Sequence, residues 1–190
     1  RHAWPDYAPG RLELFETAAL IVGYGAIGRL IGERLAAFGV AVTGVTRSGQ
    51  GDTLTPEAWK ARLGGFDWVI LAAPSTDATK TLIGADELAA MKPDAWLINM
   101  ARGDMVDQDA LIAALTQKTI AGAFLDTVTP EPLPADHPLW SAPNAIHSMH
   151  LSGRSQTKMF QRAAALFLRN LDAFLAGKPM ENVVDLGAGY

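Results

Sequence analysis

Arg102, Glu131 and His150 are polar residues set just beyond three separate apolar runs, residues 95–100, 119–125 and 144–147. A guanidinium followed by a glycine turn, as in Arg102-Gly103, can grip a carboxylate through two parallel hydrogen bonds. An imidazole close to a carboxylate holds its proton at neutral pH and can hand it to a carbonyl oxygen. Glu131 and His150 offer that pair. Each residue also has a plain structural use: Arg102 as a helix cap, Glu131 as a loop charge, His150 as a satisfied polar group. His137 and His147 are assigned to that plain class. The common placement of the other three, each after a different run, favours one shared site.

A second constellation lies upstream. The apolar residues 19–22 run into Gly23-Tyr24-Gly25-Ala26-Ile27-Gly28, and residues 29–38 then carry helical spacing. Strand, glycine turn and helix in that order are what a dinucleotide-binding fingerprint needs. Gly23 permits the tight turn, Gly25 lets a pyrophosphate approach the backbone, and Gly28 lets helix and strand pack closely. After the next apolar run, 41–45, come Thr46, Arg47 and Ser48. An NAD site carries a carboxylate here to accept from the ribose 2′-hydroxyl. Arg47 would instead pair with a 2′-phosphate, so NADP(H) is the expected cofactor, with NAD as the other choice. Ala73 and Pro74, after the run 67–73, are small enough to line a flat ring.

The elements that must position these residues alternate along the chain. Strands are expected over 19–22, 41–45, 67–73, 95–100, 119–125 and 144–147. Helices are expected over 29–38, 56–63, 85–91, 107–117 and 152–176, with a further helical turn over 11–17. The strands are continuous apolar runs rather than alternating ones, the mark of a parallel sheet covered on both faces. The predicted fold is therefore α/β, a doubly wound parallel sheet of Rossmann type. Its ligands bind beyond the carboxyl ends of the strands, where all the residues above fall. Residues 1–18 read as an arm and linker, 19–150 as the dinucleotide-binding domain, and 151–190 as a C-terminal helix and tail. Residues 129–143, with five prolines, form the one long irregular connection.

The bulk numbers narrow the partners. A net charge of -4 without a basic cluster argues against nucleic acid. No apolar run approaches membrane-spanning length. The absence of cysteine excludes disulfides and thiolate chemistry and fits a reducing cytosol, so a cytoplasmic location is expected. An apolar strip on the helix 152–176 would favour association, and a homodimer is the expected assembly.

Taken together, GYGAIG, LAAPSTDATKTLI, MKPDAWLINMARGDMVDQDAL, FLDTVTPEPLPADHPLW and the segment ending at His150 resemble the nucleotide-binding half of the D-isomer-specific 2-hydroxyacid dehydrogenases. The resemblance covers residues 20–190, and its INMARG and EPLP stretches are the specific ones. Within the family it is most similar to the glyoxylate/hydroxypyruvate reductases, which use NADPH and carry Arg-Ser where Arg47-Ser48 stand. It implies reduction of a small 2-oxo acid to the 2-hydroxy acid. Arg102 would bind the substrate carboxylate and carbonyl. Glu131 would raise the pKa of His150, and His150 would protonate the carbonyl oxygen as hydride arrives. Asp126 would hold the nicotinamide amide. The implied cofactor-binding set is Gly23, Gly25, Ala26, Ile27, Gly28, Thr46, Arg47, Ser48, Ala73, Pro74, Thr79, Met100, Ala101, Arg102, Asp126, His150 and Gly153.

The resemblance also marks departures. The family's usual Thr-Pro before the catalytic His is Ser148-Met149 here, and its Asp-Val-Phe is Asp126-Thr127-Val128. The family inserts this domain into a substrate-binding domain that these 190 residues do not supply. The chain therefore reads as a fragment, with 151–190 packing on the absent domain. A module that senses dinucleotide and binds other proteins, as the family's corepressor relatives do, is the alternative function. Formate dehydrogenases are disfavoured, since they carry Gln where Glu131 stands.

Overall fold

The computed structural model describes residues 12–154 and 157–187. Seven strands form one sheet: β1 (Ala18–Val22), β2 (Ala41–Val45), β3 (Thr53–Leu54), β4 (Trp68–Leu71), β5 (Trp96–Asn99), β6 (Gly122–Leu125) and β7 (Ala145–His147). Every pairing is parallel, in the order β3-β2-β1-β4-β5-β6-β7. Chain order reverses between β1 and β4, so the crevice of a doubly wound sheet opens there. Among the described residues four α-helices accompany the sheet: α1 (Ala26–Ala37), α2 (Ala85–Ala90), α3 (Gln108–Gln117) and α4 (Met159–Leu175).

The apolar runs become strands because both faces of the sheet are covered. Leu20 and Val22 of β1 join Val69, Leu71 and Leu97 in the main core, which Leu111 and Leu115 of α3 close. Ile21 points the other way, and a Cβ at Gly28 of α1 would lie 3.2 Å from its Cγ2. Asp107 caps α3 by accepting from the Ala110 N–H at 3.0 Å, and Lys118 ends it in the left-handed conformation.

Five sequence expectations are corrected. α1 starts at Ala26, three residues before the expected 29, because its first turn lies inside the glycine motif and Arg29 N–H already bonds to Gly25 O at 2.9 Å. Glycine is a poor helix former, yet packing against Gly23 decides the matter. The supposed loop after Arg47 contains β3, too short to show a period, tied to β2 by Thr46 N–H to Leu54 O at 3.0 Å. The helix expected over 56–63 is a 3₁₀ stretch, Lys60–Gly65, and residues 12–17 hold a turn at Phe15–Glu16 instead of a helix. The long helix begins at Met159, not 152, and Leu151 and Ser152 are held by Asp126 instead. Most of the expected arm lies outside the described residues.

The apolar strip expected on the last helix is present. No residue of α4 is buried, and Phe160, Phe167 and Phe174, seven apart, are 81%, 65% and 67% exposed. Among the described residues no helix is long and apolar enough to cross a membrane.

Candidate active site

The carboxyl ends of β1, β2, β4 and β5 open onto a cleft of about 1210 Å³. Gly23 forms its floor at φ 96°, and its N–H and that of Tyr24 both donate to Val45 O, at 3.1 and 2.9 Å. A Cβ on Gly23 would stand 2.5 Å from Ala73 Cα, so only glycine lets β1 turn this close to β4. A Cβ on Gly25 would meet nothing within 4 Å, because that side of the turn faces the open cleft. No side chain caps α1 and no acidic residue sits in its first turn. Its first N–H groups and the positive end of its dipole are thus presented to the cleft, a cradle that fits a pyrophosphate.

Of the expected cofactor ligands, Gly23, Gly25, Ala26, Ile27, Thr46, Arg47, Ala73, Pro74, Thr79, Met100, Ala101 and Arg102 line this cleft. Gly28 lies buried beneath the helical turn. Asp126 and His150 line a smaller cavity, while Ser48 and Gly153 line neither. Two of the hydroxyls shape walls. Thr46 Oγ1 accepts from Gly49 N–H at 3.0 Å and meets Thr53 Oγ1 at 2.8 Å, which fixes the turn bearing Arg47. Thr79 Oγ1 donates to Pro74 O at 2.7 Å and accepts from Thr76 N–H at 2.8 Å.

Arg102 follows β5 on a turn that a buried amide holds. Asn99, 0% exposed, donates from Nδ2 to Arg102 O at 2.8 Å and accepts the Ala101 N–H on Oδ1 at 3.0 Å. Gly103 packs its Cα directly on the Val128 backbone, where any Cβ would collide. The turn of Arg102 and the loop of Glu131 are therefore in contact.

Glu131 and His150 meet as the sequence implied: His150 Nδ1 lies 2.9 Å from Glu131 Oε2. Glu131 Oε1 accepts the Val128 N–H at 3.1 Å. Burial pushes this carboxyl up, but the hydrogen bonds from His150 and Val128 and the charges of His150 and Arg102 outweigh it, leaving it below the ordinary glutamate range. Arg102 thus acts on the pair electrostatically while its side chain lines the larger cleft. The loop of Glu131 is steadied by Gln108 at the start of α3. Gln108 Oε1 accepts the Thr129 N–H at 2.9 Å and its Nε2 donates to Thr129 O.

The segment of His150 is strapped to Asp126, 2% exposed at the end of β6. Asp126 Oδ1 accepts from Ser148 Oγ at 2.6 Å and from the Leu151 N–H at 2.7 Å, and Oδ2 accepts from the Ser152 hydroxyl. Burial raises this carboxyl, but those donors prevail and lower it below the usual aspartate range. The carboxylate therefore holds the His150 segment, a task additional to the amide contact implied for it. Met149 and His150 both take left-handed backbone, φ 54° and 56°. A proline at 149, confined to negative φ, could not follow that path.

His150, Glu131 and Trp140 help to line the smaller cavity, about 440 Å³. His137 has the structural use expected of it, and His147 has it on one nitrogen only, its buried Nδ1 having no hydrogen-bond partner among the described residues. His147 Nε2 lies 3.2 Å from Leu139 O beside the Trp140 ring, and His137 Nδ1 accepts the Leu139 N–H at 3.2 Å. Sequence reasoning gives no role to Asn99 or Gln108. A polar residue ending the buried run Trp96–Asn99 is a signal for the first; the second shows none.

The family model for the D-isomer specific 2-hydroxyacid dehydrogenase, NAD binding domain, matches residues 1–152. Glyoxylate/hydroxypyruvate reductase B of Pectobacterium carotovorum subsp. carotovorum is 37% identical over 172 residues, which are 87% of this chain and 53% of that protein. The chain spans about half the length of the curated relatives it matches. A D-isomer specific 2-hydroxyacid dehydrogenase of Xanthobacter autotrophicus, solved with NADPH and MES, superposes with a TM-score of 0.87 at 34% identity, over 98% of this chain and 77% of that one. The NADPH-dependent glyoxylate/hydroxypyruvate reductase of Sinorhizobium meliloti, solved with NADP and sulfate, gives 0.89 at 27%, over 100% and 61%.

Proposed function

Because the chain belongs to the D-isomer specific 2-hydroxyacid dehydrogenases and forms their NAD-binding domain, we propose that it serves the NADPH-dependent reduction of a small 2-oxo acid of the glyoxylate or hydroxypyruvate kind. The observation that carries the reading is the His150–Glu131 pair at 2.9 Å, on a loop that packs against the turn of Arg102 through Val128 and Gly103. The chemistry that bound nicotinamide supplies is hydride transfer to a carbonyl carbon. The rest falls to this chain's residues. Arg102 pairs with the substrate carboxylate and fixes which face of the carbonyl is presented. His150 has Nδ1 turned to Glu131, which leaves Nε2 to carry the proton to the carbonyl oxygen. Glu131 stabilises the imidazolium before transfer and orients the ring. The preference for NADPH is supported by Arg47 at the end of β2, where an NAD site would carry a carboxylate that repels a 2′-phosphate.

Oxidation of NADPH on addition of glyoxylate or hydroxypyruvate, followed at 340 nm in the complete protein, tests the proposal. A protein that binds NADPH but oxidises it with no small 2-oxo acid would refute the reductase and leave a dinucleotide sensor.

A further inference from the structure

The cleft holds a second guanidinium near the end of β2 that the proposed function does not use. Arg29 and Tyr24 both line it, and the Arg29 Cζ lies 5.5 Å from the centroid of the Tyr24 ring. Two glycines fix that ring. A Cβ on Gly44 of β2 would fall 2.6 Å from Tyr24 Cδ1, and a Cβ on Gly32 of α1 would fall 2.6 Å from the Tyr24 hydroxyl. The ring is therefore laid across the seam between α1 and β2. Arg29 precedes Gly32 by three residues, shares its helix face and stacks over the ring. Gly44 is followed along the chain by Val45, Thr46 and Arg47. Arg29 thus approaches the end of β2 from the helix, and Arg47 from the strand.

The surroundings suit an anion richer in charge than a diphosphate bridge alone. Among the described residues lining the cleft the only carboxylate is Asp77, and it is paired with Lys80 at 2.9 Å. The pyrophosphate already has the glycine turn and the uncapped start of α1. The guanidinium on Tyr24 stands beside β2, through the packing of that ring on Gly44, and the chain carries Arg47 just past the end of the same strand. We propose that Arg29, held by the Tyr24 ring, is a second ligand of the adenosine 2′-phosphate and shares with Arg47 the choice of NADPH over NADH. The proposal rests on the NADPH reading above.

Calorimetric titration of the chain with NADPH, NADH, 2′,5′-ADP and 5′-AMP tests it, using Arg29→Gln and Arg29→Lys beside the parent. Arg29→Gln is expected to weaken NADPH and 2′,5′-ADP about tenfold or more, the loss of one hydrogen bond to a charged group. NADH and 5′-AMP should stay within about twofold, and Arg29→Lys should restore part of the NADPH affinity. Equal losses for NADPH and NADH would overturn the proposal and place Arg29 on the pyrophosphate. An unchanged NADPH affinity in Arg29→Gln, with the parent still favouring NADPH, would overturn it while leaving the cofactor reading intact. A parent that binds NADPH no more tightly than NADH would overturn both.

Discussion

Replacing Asn99 by alanine removes one side chain and strands two backbone groups. Asn99 is 0% exposed, and its amide closes the turn after β5 at both ends, on the Ala101 N–H at 3.0 Å and the Arg102 carbonyl at 2.8 Å. Each buried group left unpaired costs about 1–3 kcal/mol. Asn99→Ala should therefore destabilise the chain by roughly 2–6 kcal/mol, a large share of an ordinary domain's stability. Urea unfolding followed by tryptophan fluorescence reads this as a lower midpoint at unchanged slope. Asn99→Asp separates the two bonds. The carboxylate still accepts from Ala101 but loses the donor to Arg102 and buries a charge, which raises its folded pKa. Its deficit should therefore be full at neutral pH and shrink as pH falls through that raised pKa, when a protonated oxygen can donate to Arg102 O. A loss below about 1 kcal/mol for Asn99→Ala, or a deficit in Asn99→Asp that grows on acidification, would refute the clamp.

Arg47→Ala should weaken NADPH by about 1.5–3 kcal/mol and leave NADH nearly unchanged, and equal losses in a paired titration would remove the 2′-phosphate contact. In the complete protein His150→Ala should lower kcat by about 10²–10⁴ with little change in NADPH affinity; near-normal turnover at neutral pH would take His150 out of the proton transfer. Asp126 has a folded pKa below its unfolded one, so its strap contributes stability above the unfolded value and loses it as pH falls through the folded value. Loss of that contribution in Asp126→Asn should flatten the acid limb of a stability–pH profile, and an unchanged limb would show that another group governs it. These 190 residues span about half the length of the curated relatives, and alone they should fold and bind NADPH yet turn over almost no glyoxylate; full activity from the chain alone would mean that the substrate site is built within it.

The fold was legible because parallel strands are long apolar runs and the glycine turn announces the first crossover. What periodicity missed was short or held by side chains. β3 has two residues and exists through Thr46 and its partners. α1 begins inside a glycine motif because Gly28 must lie on Gly23, a packing demand that no propensity carries. Among the candidate site residues, Arg102, Glu131 and His150 could be named from their places after strands. The meeting of Glu131 and His150 could not be read from spacing alone, since it depends on how the proline-rich connection folds back over β6.

The side chains proposed to react and the groups that aim them follow different rules. Arg102 and Glu131 are exposed and His150 is half-buried, as the proposed contact with a substrate requires. Each of their backbones is fixed by a polar side chain reaching out from the framework. Asn99 does this for Arg102, Gln108 for Glu131 and Asp126 for His150. Two of these braces stand on neighbouring strands, and the Asp126 N–H donates to Asn99 O at 2.9 Å, so the sheet sets their separation. Gly103, pressed on Val128, sets the distance between the first two loops. The relative positions of guanidinium, carboxylate and imidazole are thus inherited from hydrogen bonds at the rigid end of the sheet. That is how a site on three loops can keep the geometry that the proposed proton transfer needs.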